Sequence, residues 1–140
     1  MPTAFKKRAR QAYSKIKKVK CPAFPKEKIV FNAKGFNHLF YQGSTKARTR
    51  TKHDASVRVK LLPRAVKLLK LMPIPQEESA YSFEKRRYRF WAFEGVVDER
   101  RIKVIIRQVG RGQKHFWSVI PGWRKTRFGR KNSRSNLSRQ

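Results

Sequence analysis

Between Tyr88 and Pro121 the chain reads YRFWAFEGVVDERRIKVIIRQVGRGQKHFWSVIP, and this stretch limits the possible folds more than any other. Apolar and polar residues alternate over 88–97, 101–109 and 114–120, with Asp98-Glu99-Arg100 and Gly110-Arg111-Gly112-Gln113 between the runs. Successive side chains of a strand point to opposite faces, so the pattern predicts an antiparallel meander. With Glu99-Arg100 as a two-residue turn, Val97 pairs with Ile102 and Phe93 with Ile106. A four-residue second connection then sets Ile106 beside Trp117 and Ile105 beside Ser118. Directly paired residues share a face. One face collects Trp91, Phe93, Ile102, Val104, Ile106, Trp117 and Val119 for a core. The other carries Glu94, Lys103, Arg107 and Ser118 among Phe90, Val96, Ile105, Phe116 and Ile120, and His115 points away from Ser118. A slip of one residue in either turn exchanges the faces.

Ahead of the meander, Leu62, Ala65, Val66, Leu69 and Met72 recur at three- and four-residue spacing, which predicts a helix lying on the apolar face. Asp54 or Ser56 caps it, and Pro63 divides it by opening a second helical segment that runs to Leu71. Lys28 to Ala33 reads as a short strand and Lys34 to Tyr41 as one or two helical turns. Glu77, Glu78 and Glu84 fall in a solvated connection. The expected fold is α+β, with N-terminal helices packed on a three- to four-stranded antiparallel sheet. The expected organisation is a basic arm over 1–27, a folded domain over 28–121 and a basic tail over 122–140.

With 37 Lys and Arg against 8 Asp and Glu, the formal net charge is +29. Self-repulsion of that size opposes compactness unless a polyanion neutralises it, so RNA, DNA or an anionic membrane is the expected partner, and nucleic acid is favoured because no apolar run reaches the length of a membrane span. Lys6, Lys7, Arg8, Arg10, Lys17 and Lys18 lie on an arm expected to be disordered alone and helical against phosphate. Lys46, Arg48, Arg50 and Lys52, at every second position, form a row suited to a phosphate backbone, although any basic loop looks similar. Lys103 in the sheet and Trp123, Arg124, Lys125, Arg127 and Arg130 in the tail complete the RNA-contacting set. A single cysteine, Cys21, excludes an internal disulfide. No apolar segment follows the basic start, so a cytoplasmic protein is expected. No His, Asp, Glu or Cys cluster has metal-ligand spacing, and neither metal nor cofactor is expected.

Glu94, between Phe93 and Gly95, is the one acid inside a predicted strand, and it reads either as a cross-strand ion pair or as a general base beside cations. Taken together, FNHLFY, FEGVVDERRIKVIIRQ and KHFWSVIP give an order of early histidine, then Glu, then Arg, then a last strand with His and Ser. This order resembles the superfamily of metal-independent ribonucleases that includes barnase, RelE-type toxins, EndoU and colicin nucleases, and within it a phage-associated branch. The resemblance covers about Lys28 to Pro121. It implies Glu94 or a histidine as base, Arg107 as phosphate clamp, His38 or His115 as acid and Ser118 as a phosphate contact. It also implies a toxin-like endoribonuclease acting through the 2'-hydroxyl on RNA, ribosome-bound mRNA included, with an antitoxin or immunity protein as a further partner. The alternative is a non-catalytic, ribosome-associated RNA-binding protein on the same fold, which the extreme charge favours.

Overall fold

Asp98 and Glu99 both adopt positive φ, 48° and 66°, and make the two-residue turn that sets the centre of the sheet. Paired positive φ values give a turn the twist that matches its flanking strands. The computed structural model describes residues 3–42, 48–122 and 137–140. In chain order the elements are α1 (Thr3–Ser14), β1 (Lys18–Lys20), β2 (Lys28–Val30), α2 (Ala33–Phe40), α3 (Lys52–Leu71), β3 (Glu77–Phe83), β4 (Arg86–Val97), β5 (Arg100–Val109), β6 (His115–Pro121) and a single 3-10 turn, Leu137–Arg139.

The strands form one sheet in the order β1-β2-β6-β5-β4-β3. Every neighbouring pair is antiparallel except β2 and β6, which run parallel and meet at Val30 and His115. The α+β class holds, but the sheet is six-stranded and mixed, not a three- to four-stranded antiparallel one. Two features hide the extra strands. β1 has three residues, too few to show a period, whereas β2 falls inside the short strand expected over Lys28 to Ala33. β3 is the outer strand and nearly all exposed, so nothing selects an alternating pattern. Glu77 therefore lies in a strand, not a connection, and its carboxylate meets Lys103 at 2.8 Å.

Because the turn falls one residue earlier than Glu99-Arg100, each β4–β5 pair moves by two positions: Val97 faces Arg100, Phe93 faces Val104 and Glu94 faces Lys103. An even shift leaves the faces unchanged. The β5–β6 register differs more deeply. Ile102 to Ile105 pair with Pro121 to Ser118, but Ile106 pairs with Phe116 and Arg107 with His115, so Trp117 is an extra residue, a β-bulge. In HFWSVI strict alternation sends His115 to the core side with Val119. The bulge instead lets Phe116 and Val119 both enter the main core while Trp117 joins a second cluster with Phe90, Ala92, Ile105 and Leu137. Trp117 is thus not on the face predicted for it, and Phe116 takes its place.

α3 covers the core face with Leu61, Leu62, Ala65, Leu68 and Leu69 buried, and it is one helix with Pro63 inside it. A mid-helix proline costs about 3 kcal/mol, which the apolar burial on both sides of Pro63 offsets. Its cap is Thr51, whose hydroxyl accepts from the Asp54 N–H at 3.1 Å. The N-terminal arm is also folded: Ala9 and Tyr13 of α1 are buried, and Tyr13 packs within 5.3–6.1 Å of the rings of Phe31, Phe36 and Phe116 while donating to the Asn32 carbonyl at 2.7 Å. Tyr13 is the residue that anchors the helix.

α2, capped by Asn32, presses its Gly35 onto β6, where an added methyl group would land on the carbonyl oxygen of Phe116. Gly35→Ala is expected to lower stability by about 3 kcal/mol, the upper end of overpacking costs, despite alanine's better helix propensity. Urea denaturation checks this; an unchanged midpoint means the α2–β6 contact is looser than the structure has it.

Candidate nucleic-acid site

β2 pairs with β6 only at Val30 and His115, so no strand occupies the β6 edge beyond that point among the described residues. α2 and α3 lie against β6 there, and side chains from both reach round to the face away from the main core. His38 of α2 stacks on Trp117 with ring centroids 4.0 Å apart at 16°. Arg58 of α3 donates through Nη1 to the Ser118 hydroxyl at 2.7 Å. His38, Arg50, Arg58, Arg107, His115 and Ser118 are all buried.

Asp54 orients two of the cations, with Oδ2 3.3 Å from Arg50 Nη1 and Oδ1 3.0 Å from Arg58 Nε. Arg50 also donates through Nε to the His38 carbonyl at 2.9 Å and lies through Nη2 3.1 Å from His38 Nε2. A guanidinium only donates, so Nε2 accepts and the ring proton sits on Nδ1. On β5, Arg107 donates through Nε to His115 Nε2 at 3.0 Å, with its guanidinium carbon 3.8 Å from the centre of the Trp117 ring. Burial lowers Arg107 and Arg50 to about 10, so both remain charged at neutral pH. Burial, with the Arg107 charge next, lowers His115 to about 4 and leaves it neutral.

The Ser118 hydroxyl and Arg58 Nη1 converge on one oxygen, the main-chain oxygen of Gln140, at 2.7 and 2.6 Å. The same short segment is held by the Trp117 Nε1–H, which donates to the Ser138 carbonyl at 3.0 Å, and by Leu137, buried against Phe90, Ala92, Ile105 and Trp117. A guanidinium and a hydroxyl aimed at one oxygen, backed by further cations, make a site for an anionic oxygen.

Of the residues expected from the sequence, His38, Arg107, His115 and Ser118 come together, and the bulge is what brings His115 onto the Ser118 face. Glu94 does not join them. It pairs with Lys103, four residues along the strand from the Phe90–Arg107 pair, or roughly 13 Å. Its carboxylate lies 3.6 Å from Arg101, and Gln76 bonds its backbone on both sides. Lys103 is buried against Glu77, and Arg50 turns inward, so the row of cations at alternate positions is broken at its centre. Arg48 and Lys52 are exposed, as are Lys7, Arg8, Arg10, Lys17 and Lys18; Lys6 donates to the Tyr41 hydroxyl at 3.1 Å. Lys46, Trp123, Arg124, Lys125, Arg127 and Arg130 lie outside the described residues.

Arg58, Asp54 and the Leu137–Gln140 segment were not anticipated. A signal for Arg58 existed: it stands four residues before Leu62 and seven before Ala65, so it continues the buried stripe as a cation. Among the described residues no group of three or more His, Cys, Asp or Glu is placed to hold a metal ion, and no helix is long and apolar enough to cross a membrane. No family model matches the chain, and no curated protein or solved structure matches it either, so these comparisons do not identify the ribonuclease superfamily.

Proposed function

We propose that the protein is a metal-independent endoribonuclease whose site is the cluster at the bulge of β6. The observation that carries this is the convergence of Arg58 and Ser118 on a single oxygen, beside Arg107 and two histidines. In this reading a bridging phosphate takes the place of the Gln140 oxygen. The ribose 2'-oxygen attacks phosphorus, the 5'-oxygen departs, and a 2',3'-cyclic phosphate remains. Arg58 and Arg107 hold the negative charge that builds on the phosphorane. Neutral His115 accepts the 2'-hydroxyl proton when Arg107 turns to the phosphate, and His38 supplies the proton for the leaving oxygen from its imidazolium form, which requires Arg50 Nη2 to leave His38 Nε2 free to be protonated first. Glu94 has no part in this chemistry.

The test is single-stranded RNA incubated with the purified full chain in EDTA. A 2',3'-cyclic phosphate end supports the reading; intact RNA bound tightly by the native protein overturns it. That second outcome establishes the other reading, a non-catalytic RNA-binding protein. One observation favours it: Asp54, which Arg58 links to Ser118, is committed to Arg50 and Arg58, while Glu94 is held by Arg101.

Either way the phosphate must displace Gln140. Leu137→Ser removes the apolar anchor of that segment and is expected to raise RNA affinity several-fold, because less of the protein has the site filled. Fluorescence anisotropy reads it. An affinity equal to or below that of the native protein means phosphate does not bind where Gln140 lies.

A further inference from the structure

Tyr81 and Phe83 lie on the outer strand β3, 43 % and 59 % exposed, where large apolar side chains invite unwanted pairing and contribute little burial. They are two residues apart and so share a face, and the pairing of Tyr81 with Tyr88 and of Phe83 with Arg86 fixes that face as the one that carries Arg107 and Ser118. The flat side chains there form a continuous line. Tyr81 stacks on Tyr88 at 5.1 Å and 14°, and lies 5.9 Å and 18° from Phe90. The Arg107 guanidinium is 6.0 Å from the Tyr88 ring and 3.8 Å from the Trp117 ring, and Trp117 stacks on His38. The line crosses four adjacent strands, roughly 14 Å, from solvent at Tyr81 to the buried cluster at Ser118.

A cross-strand tyrosine pair stabilises a hairpin modestly, which accounts for Tyr81 and Tyr88 but not for Phe83. Exposed aromatic faces interleaved with guanidinium groups, on a chain of net charge +29, match one ligand chemistry: bases unstacked from their neighbours on an anionic backbone. A duplex keeps its bases stacked inside and offers no flat surface to such a line.

We infer that Phe83, Tyr81 and Tyr88 form a base-stacking track for single-stranded RNA, which leads the strand to the phosphate position between Arg58 and Ser118. This rests on the proposed function, since it names the substrate class and the side from which the strand arrives.

The experiment compares binding of an unstructured 2'-O-methyl RNA strand and of a duplex of the same sequence to the full chain. The variants are Tyr81→Ala, Phe83→Ala, the two combined, Tyr81→Phe and Arg58→Ala. Each stacked base contributes enough that the combined variant is expected to bind the single strand about 30-fold or more weakly. Duplex binding and the slope of log affinity against log salt are expected to stay unchanged, and Tyr81→Phe to bind as the native protein does. Arg58→Ala is expected to reduce the salt slope instead, because it removes a phosphate contact. Native single-strand affinity in the combined variant, or an equal loss for strand and duplex, overturns the track. Failure of the ribonuclease reading shows separately, as intact cleavable RNA with the native chain.

Discussion

Arg58→Met is expected to lower the rate of RNA cleavage by about 10²–10³-fold, the usual effect of deleting one preorganised donor to a developing charge. Arg58 uses both ends of its guanidinium. Nε is fixed by Asp54 at 3.0 Å, and Nη1 reaches both Ser118 and the oxygen position that Gln140 fills. A lysine offers a point charge without the fork, so Arg58→Lys is expected to lose nearly as much. Ser118→Ala removes the second donor to the same oxygen and is expected to cost a further share that is not additive with Arg58→Met, because the two act on one atom. Arg58→Met leaves Asp54 paired with Arg50, which limits the harm to folding. Thermal unfolding beside single-turnover kinetics separates the two effects. Full activity in folded Arg58→Met removes the phosphate from this place in the site.

The faces of β4 and β5 were legible from alternation alone, because their apolar and polar halves differ strongly and a one-residue error in the turn moves each pair by two positions and leaves parity intact. β6 was not legible in the same way. HFWSVI sets Phe116 and Trp117 side by side, and the tertiary packing of Phe116, stacked on Phe31 at 4.7 Å and 7° and against Tyr13, goes with Trp117 as the residue pushed out. That one decision moved His115 onto the site face. Net charge pointed to a polyanion but not to a place, since it counts Arg58 and Arg50, buried beside Asp54, equally with the exposed cations of α1. Glu94 drew attention by standing in a strand among apolar residues. Of its two readings the structure has the cross-strand ion pair, with Lys103 directly opposite as a neighbour and Arg101 at 3.6 Å in place of Arg107, because the pairing register differs by two residues.

Lowering the pH from 7 to 4 is expected to remove about 3 kcal/mol of stability that depends on His115 alone. Its ordinary value is 6.5, and in the folded protein it lies at about 4, first because the ring is buried and then because of the Arg107 charge, with Lys34 adding to the effect and a hydrogen bond to the Gln113 backbone opposing it. The unfolded chain therefore binds a proton between those two values while the folded protein does not. Stability is at its full value above pH 6.5 and falls as the pH drops toward 4, where both states carry the proton. Arg107 from β5 and Lys34 from α2 enforce this, and the Gln113 backbone in the loop before β6 works against it. Other titrating groups also weaken the protein in acid, so the informative quantity is the difference between the native chain and His115→Gln. Glutamine still accepts from Arg107 but does not titrate, and its unfolding free energy is expected to lose about 3 kcal/mol less over that range. Parallel pH curves for the two proteins mean that His115 titrates in contact with solvent, and with that the neutral proton acceptor at the centre of the proposed cleavage is lost.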